Sequence, residues 1–141
     1  MADQPSAADY QALAAFRYQL RRFLACSEAS ARAAGLEPQQ YLLLLAIKGL
    51  PPDCPATIAA LSDRLHVQHQ SAVELIDRLE AKQLVYRTRD DHDRRCVLIS
   101  LTSAGEREVA ALVTVALHQL TDTGNDLLRA LRDVITHATQ S

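Results

Sequence analysis

The residues best suited to chemistry stand together in RDDHDRR, Arg89 to Arg95, where three arginines, three aspartates and a histidine share seven positions. A second polar group, Gln68, His69, Gln70 and Ser71, opens the stretch QHQSAVELIDRLEAKQ. Guanidinium groups suit the enhanced negative potential of a narrow minor groove. Glutamine pairs with the edge of adenine, and serine accepts several base edges. Carboxylates repel phosphate, but one placed a residue or two from an arginine holds that side chain extended through a charge-assisted bond. Taken alone, the run fits equally well a solubilising turn, whose exposed ion pairs are worth about 0–1 kcal/mol each.

The elements that must position these groups are outlined by the periodicity of the chain. In QHQSAVELIDRLEAKQ, Ala72, Leu75, Ile76 and Leu79 recur at helical spacing and form a buried stripe. Only His66 and Val67 separate this helix from IAALSDRL, a shorter one capped by Thr57 with Ile58, Leu61 and Leu65 facing inward. LVYRTR, Leu84 to Arg89, has the composition of a strand, and CVLISLT alternates with period two. The tip DDHDRR therefore joins a hairpin, with Leu98 and Ser100 on one face and Val97, Ile99 and Leu101 on the other. A short helix, a tight turn, a second helix and a hairpin follow the winged helix-turn-helix order, in which the second helix of the motif enters the major groove. Candidate DNA contacts on that recognition helix are Gln68, His69, Gln70, Ser71 and Arg78; on the wing they are Arg87, Arg89, Asp93, Arg94 and Arg95, with Asp93 positioning the arginines. Helix periodicity by itself leaves open a helical hairpin with a solvated polar face.

Around this centre the chain reads as further helix. Ala8 to Ala34 carries Leu13, Phe16, Leu20, Phe23 and Leu24 at helical spacing, and Gly35 stands where that helix would end. Pro38 suits the first position of a second helix through QQYLLLLAIK, whose near-continuous apolar run implies burial on most sides, with Gly49 closing it. Thr102 caps a fifth helix, Glu106 favours its first turn, and Asp122 or Thr123 is expected to restart a sixth. The apolar stripes on the first, fifth and sixth helices exceed what so small a domain needs for its own core, which points to a homodimer. The fold class expected is mainly α (α+β): one domain, 1–141, with 8–35 and 103–139 as dimerisation helices around a winged helix-turn-helix, 36–102.

Bulk properties narrow the function classes. The chain has 141 residues, 48% hydrophobic and 23% charged, the balance of a folded domain. Its net charge is −2, and residues 64–95 form the only net basic third, at +1. The longest apolar run, Tyr41 to Ile47, falls far short of the roughly 20 residues of a membrane span. MADQPSAADY lacks the basic start and apolar core of a secretory signal, so a cytoplasmic location is expected. Three widely spaced cysteines, Cys26, Cys54 and Cys96, suggest reduced thiols and not a disulfide framework. No phosphate loop, nucleophile elbow, HExxH pair or CxxC is present, so no enzyme and no cofactor are expected. His66 and His69 flank a turn, but zinc needs three or four ligands and no further one converges, so no metal is expected. Cys26, with Arg21, Arg22 and Arg32 nearby, keeps an oxidation-sensing thiol as an alternative to an ordinary buried helix cysteine. Tyr18, Tyr41 and His118 are either the rim of an effector pocket or amphipathic core edges.

The spacing of Asp93, Arg95, Ile99, Leu101, Thr102 and Gly105 in DRRCVLISLTSAG resembles the wing signature of the MarR family of bacterial transcription regulators. LSDRLHVQHQSAVELIDRLEAKQLVYRTRDDHDRR resembles that family's helix-turn-helix, and GLEPQQYLLLLAIKG is similar to its second helix. The resemblance implies a homodimer on double-stranded DNA, with recognition helices in successive major grooves and wings in the flanking minor grooves of a pseudo-palindromic operator. It further implies a repressor released by a small, often aromatic, effector, or in some relatives by cysteine oxidation. Two positions depart from the family pattern: Gln68 stands where a capping serine is common, and Glu74 where a basic or small residue is. A winged dimer that binds protein and not DNA is the other reading, which Glu74 and the acidic wing keep open.

Overall fold

The computed structural model describes residues 4–140, with side chains through Ala138. Five helices and one hairpin follow in order: α1 Ala7–Ala33, α2 Pro38–Lys48, α3 Ile58–Leu65, α4 His69–Ala81, β1 Val85–Arg89, β2 Val97–Leu101 and α5 Ser103–Gln140. The strands pair antiparallel, with Val85 opposite Leu101 and Arg87 opposite Ile99. The chain divides into two compact units, one of residues 31–113 and one built from the chain before 31 and after 113.

The 31–113 unit holds the core. Leu43 and Leu44 of α2, Leu61 of α3, Ile76 and Leu79 of α4, and Ile99 of β2 are all essentially inaccessible, each burial contributing about 1.5–3 kcal/mol. Tyr41 joins them, and burial pushes its phenol pKa above the ordinary value of 10.0. The near-continuous apolar run of α2 is buried at Tyr41, Leu43 and Leu44 and half-buried at Ala46 and Ile47, but not throughout. Leu42 and Leu45 remain exposed on the face away from that core, lining an open cleft of about 530 Å³ with Leu65, Arg64 and His66.

Turn chemistry explains where the helices stop. α1 ends in a left-handed Gly35, φ +82°, with the Leu36 N–H donating to the Ala31 carbonyl, the six-to-one bond of a Schellman motif. Pro38 opens α2, and the Gln40 side chain turns back to accept the Glu37 N–H. Thr57 caps α3 by accepting the Ala60 N–H at 3.1 Å. The same Schellman pattern closes α3 and α4, but with His66 (φ 54°) and Gln83 (φ 61°) in the left-handed position. A side chain there costs about 1–2 kcal/mol. A third strand-like segment adjoins the hairpin: Ile99 N–H donates to the Ala56 carbonyl and Thr57 bridges Leu98, which fastens the start of α3 to β2.

One expected break is missing. α5 runs unbroken through Asp122 and Thr123, where a sixth helix was expected to restart. The hydroxyls of Thr121 and Thr123 do not cap a new helix; they donate to the Leu117 and Gln119 carbonyls one turn back, a use of threonine that keeps the helix intact. Gly124 lowers helix stability by about 1 kcal/mol without ending it.

The other unit pairs the first part of α1 with the C-terminal part of α5. Among its described residues those buried are Ala12 and Ala130, whereas Tyr10, Leu13 and Tyr18 of α1 and Leu117, Leu128 and Ile135 of α5 stand exposed. α1 begins with a reciprocal pair: Ser6 N–H donates to the Asp9 carboxylate at 2.7 Å and Asp9 N–H to the Ser6 hydroxyl at 3.2 Å. These bonds, with His137 nearby, hold the Asp9 carboxyl below its ordinary 3.8.

Candidate nucleic-acid interface

α4 turns Ala72, Ile76 and Leu79 into the core and leaves Gln68, His69, Gln70, Ser71, Glu74 and Arg78 exposed. Four candidate base readers thus occupy the first turn, with Glu74 and Arg78 following on the same side. Gln68 is the N-cap in extended conformation and makes no side-chain capping bond, as expected of a residue whose amide is too long to fold back as serine does. The turn before it is fixed by left-handed His66, whose N–H bonds the Asp63 carbonyl while Val67 N–H reaches the Ser62 carbonyl.

The end of α4 is also pinned. The Lys82 ammonium donates to the Gly35 carbonyl at 2.7 Å and to Gln40 Oε1 at 3.1 Å. With the Glu37 N–H, this gives the Oε1 of buried Gln40 two donors. Thr102 donates its hydroxyl to the Gln83 carbonyl and its N–H to the Leu84 carbonyl, while its Oγ accepts the Gly105 N–H. The first turn of α5 therefore rests on the joint between α4 and β1, and Lys48 meets Glu106 at 2.8 Å beside it.

At the hairpin tip, the aspartates shape backbone more than they aim guanidinium groups. Asp90 accepts the His92 N–H at 3.0 Å and Asp93 the Arg95 N–H at 3.1 Å, both Asx-type turns. Asp93 also approaches Arg95 Nε at 3.6 Å, a loose ion pair, and the Arg95 side chain is 95% exposed. Arg94 and Asp91 are exposed beside it. The two strand arginines behave differently. Arg89 donates to the Arg94 carbonyl at 2.7 Å, closing the tip. Arg87 reaches Glu80 and Asp77 of α4, both at 2.6 Å.

Of the residues singled out for the wing, then, Arg94 and Arg95 project, Asp93 folds the tip, Arg89 ties it and Arg87 faces inward. Asp77, Glu80 and Lys82 were not read from the sequence. The signal available was slight: two acids three apart on α4, and an arginine two residues along the strand from apolar Val85, hence on the core face of the ribbon. Tyr18 and His118 are exposed and Tyr41 is a core residue. Cys26 is exposed and not the buried helix cysteine that is commoner at such positions; Cys54 and Cys96 are half-buried. Among the described residues no three His, Cys, Asp or Glu side chains group as metal ligands, and no helix is long and apolar enough to cross a membrane.

Known proteins share parts of this chain's sequence and its fold. The model of the MarR family matches residues 34–95. An uncharacterised HTH-type transcriptional regulator, YsmB of Bacillus subtilis, is 36% identical over 66 residues, 47% of this chain and 45% of that protein. The match thus spans under half the length of that relative. Among solved structures, AbsC, a MarR family transcriptional regulator from Streptomyces coelicolor, has a TM-score of 0.74 at 18% identity, covering 99% of this chain and all of that one. A mutant of MepR from S. aureus, solved bound to an oligodeoxyribonucleotide, has a TM-score of 0.65 at 20% identity over 88% of this chain and 94% of that chain.

Proposed function

We propose that the chain, whose residues 34–95 match the model of the MarR family, is a homodimeric, cytoplasmic, DNA-binding transcription regulator of that family. It represses by occupying a pseudo-palindromic operator and leaves when a small effector binds. Residues 36–102 form the DNA-binding part, and 8–35 with 103–139 the dimerisation helices.

The observation that carries this reading is the pairing, in one unit, of an exposed polar first turn on α4 with two exposed guanidinium groups at the hairpin tip. Gln68, His69, Gln70 and Ser71 suit base edges in a major groove. Arg94 and Arg95 suit the narrow groove beside it. The structure with an oligodeoxyribonucleotide among the fold's relatives supports the same use here. Dimerisation is supported by the exposed apolar side chains of α1 and α5, Tyr10, Leu13, Leu117, Leu128 and Ile135 among them.

The test is fluorescence anisotropy with a labelled duplex from the region flanking the protein's own gene, against a scrambled duplex, over a range of salt. Specific binding should weaken steeply with salt, and replacing Arg94 and Arg95 together by alanine should reduce the log–log slope by about 1.8, roughly 0.9 for each phosphate no longer neutralised. It should also weaken binding more than any single substitution among Gln68, His69, Gln70 and Ser71. Failure to bind either duplex even at low salt, where electrostatic binding is strongest, refutes DNA-binding regulation and leaves the protein-interaction reading. An unchanged affinity on removal of Arg94 and Arg95 refutes the wing assignment.

A further inference from the structure

Arg87 stands on the core face of the ribbon, opposite Ile99 and two residues from buried Val85. Its side chain is 27% exposed, and its two terminal nitrogens engage different carboxylates, Nη1 with Glu80 and Nη2 with Asp77. Asp77 and Glu80 lie one turn apart along the same edge of α4. A planar guanidinium held at two of its nitrogens fixes an orientation as well as a distance, which a lysine ammonium cannot do. β1 also joins α4 through the turn at Lys82, Gln83 and Leu84, where Gln83 is left-handed, and through Val85, which shares the apolar core with Ile76 and Leu79; the Arg87 pair adds a directional polar tie to that packing. Two carboxylates against one cation also leave no unbalanced positive charge for phosphate. Arg95, by contrast, projects with its side chain almost wholly exposed.

We propose that Arg87 is a positioning residue and not a DNA contact: a strut that, through Asp77 and Glu80, sets the angle between the wing and the recognition helix. Asp77 and Glu80 then have a defined place on a helix whose exposed face is otherwise turned to DNA. They hold the strut from the edge of the helix nearest the ribbon, and the acid charge they carry is spent on Arg87. The spacing between a reading helix in one groove and a wing in the next is thereby fixed before DNA is met, which lowers the ordering cost of binding. This rests on the DNA-binding reading only in how the strut is used, not in whether it exists.

Two measurements test it. Residual dipolar couplings of backbone amides in α4 and in the hairpin, recorded on the full-length protein, should fit one rigid arrangement in the unmodified chain. In Arg87→Gln, and in the double variant Asp77→Asn with Glu80→Gln, α4 should fit as before while the hairpin departs from it; couplings that still fit the original arrangement in both variants overturn the proposal. On the duplex from the region flanking its own gene, Arg87→Gln should bind roughly 3- to 30-fold more weakly, the size of effects carried by side chains that touch neither ligand, with an unchanged salt slope. Arg87→Lys should recover part of the loss. A slope reduced by about 0.9 identifies Arg87 as a phosphate contact and overturns the proposal. If the unmodified protein binds no DNA, the functional reading falls, and the couplings still decide the strut.

Discussion

Replacing Gly105 by alanine tests the seat of α5 on the joint between α4 and β1. A Cβ built at Gly105 stands 2.1 Å from the Leu84 carbonyl oxygen, where real Cβ contacts essentially never fall below 3.0 Å. The obstacle is backbone and cannot rotate away, so the first turn of α5 must retreat by roughly 1 Å. That movement strains or breaks the two bonds Thr102 makes there, to the Gln83 and Leu84 carbonyls, worth about 1 kcal/mol each. Overpacking adds about 1–3 kcal/mol, and the better helix propensity of alanine returns about 1 kcal/mol. The expected net loss is about 2–4 kcal/mol. Gly124→Ala supplies the control, because the nearest atom to its Cβ would be Leu120 Cβ at an ordinary 3.7 Å; it should stabilise the chain by about 1 kcal/mol. Urea unfolding at one protomer concentration measures both. If Gly105→Ala unfolds at the same or a higher urea midpoint while Gly124→Ala gains, the proposed seat is wrong.

Further outcomes can be measured in the same way. Gln70→Ala should cost about 1–3 kcal/mol at one base position and leave discrimination elsewhere intact; a uniform loss across a panel of single-base operator variants contradicts a base contact. Gln68→Ser gives α4 the side-chain cap it lacks and should raise stability by about 1 kcal/mol, read as a higher urea midpoint with unchanged slope. Asp9 has a folded-state pKa below its unfolded value, so its stabilisation is present above the unfolded pKa and is lost as pH falls through the folded one. Thermal melts of Asp9→Asn and the unmodified protein should therefore differ at neutral pH and converge toward pH 2; a gap that persists at acid pH refutes the assignment.

Most elements were legible because their signals are local. Thr57, Thr102, Gly35 and Pro38 sit where capping chemistry puts them, and the period-two run of Val97 to Leu101 does form a strand. Asp122 and Thr123 misled because both are residue types that start helices by capping, whereas inside a helix the Thr123 hydroxyl bonds backward. The exposed Leu42 and Leu45 show the limit of composition: an apolar run records which side chains could be buried, not which faces find a neighbour. Arg87 was legible as a cation and illegible as a strut, since its partners lie on another element at 10 and 7 residues' remove. The tip aspartates were read as acting on arginine side chains, but Asp90 and Asp93 act chiefly on backbone N–H groups.

The division of the chain has a consequence for its synthesis. Residues 31–113 form a continuous unit that is complete once that stretch has left the ribosome, while its counterpart is split between the chain before 31 and after 113. At about 5–20 residues per second, translation of the intervening stretch leaves most of α1 without the C-terminal part of α5 for roughly 4–17 s. During that interval Tyr10, Leu13 and Tyr18 are open to other nascent chains. Under the proposed dimerisation, two ribosomes on one message would bring α1 helices together before either α5 exists, so that assembly order, and not only final affinity, would be set by where the two segments of this unit lie in the chain.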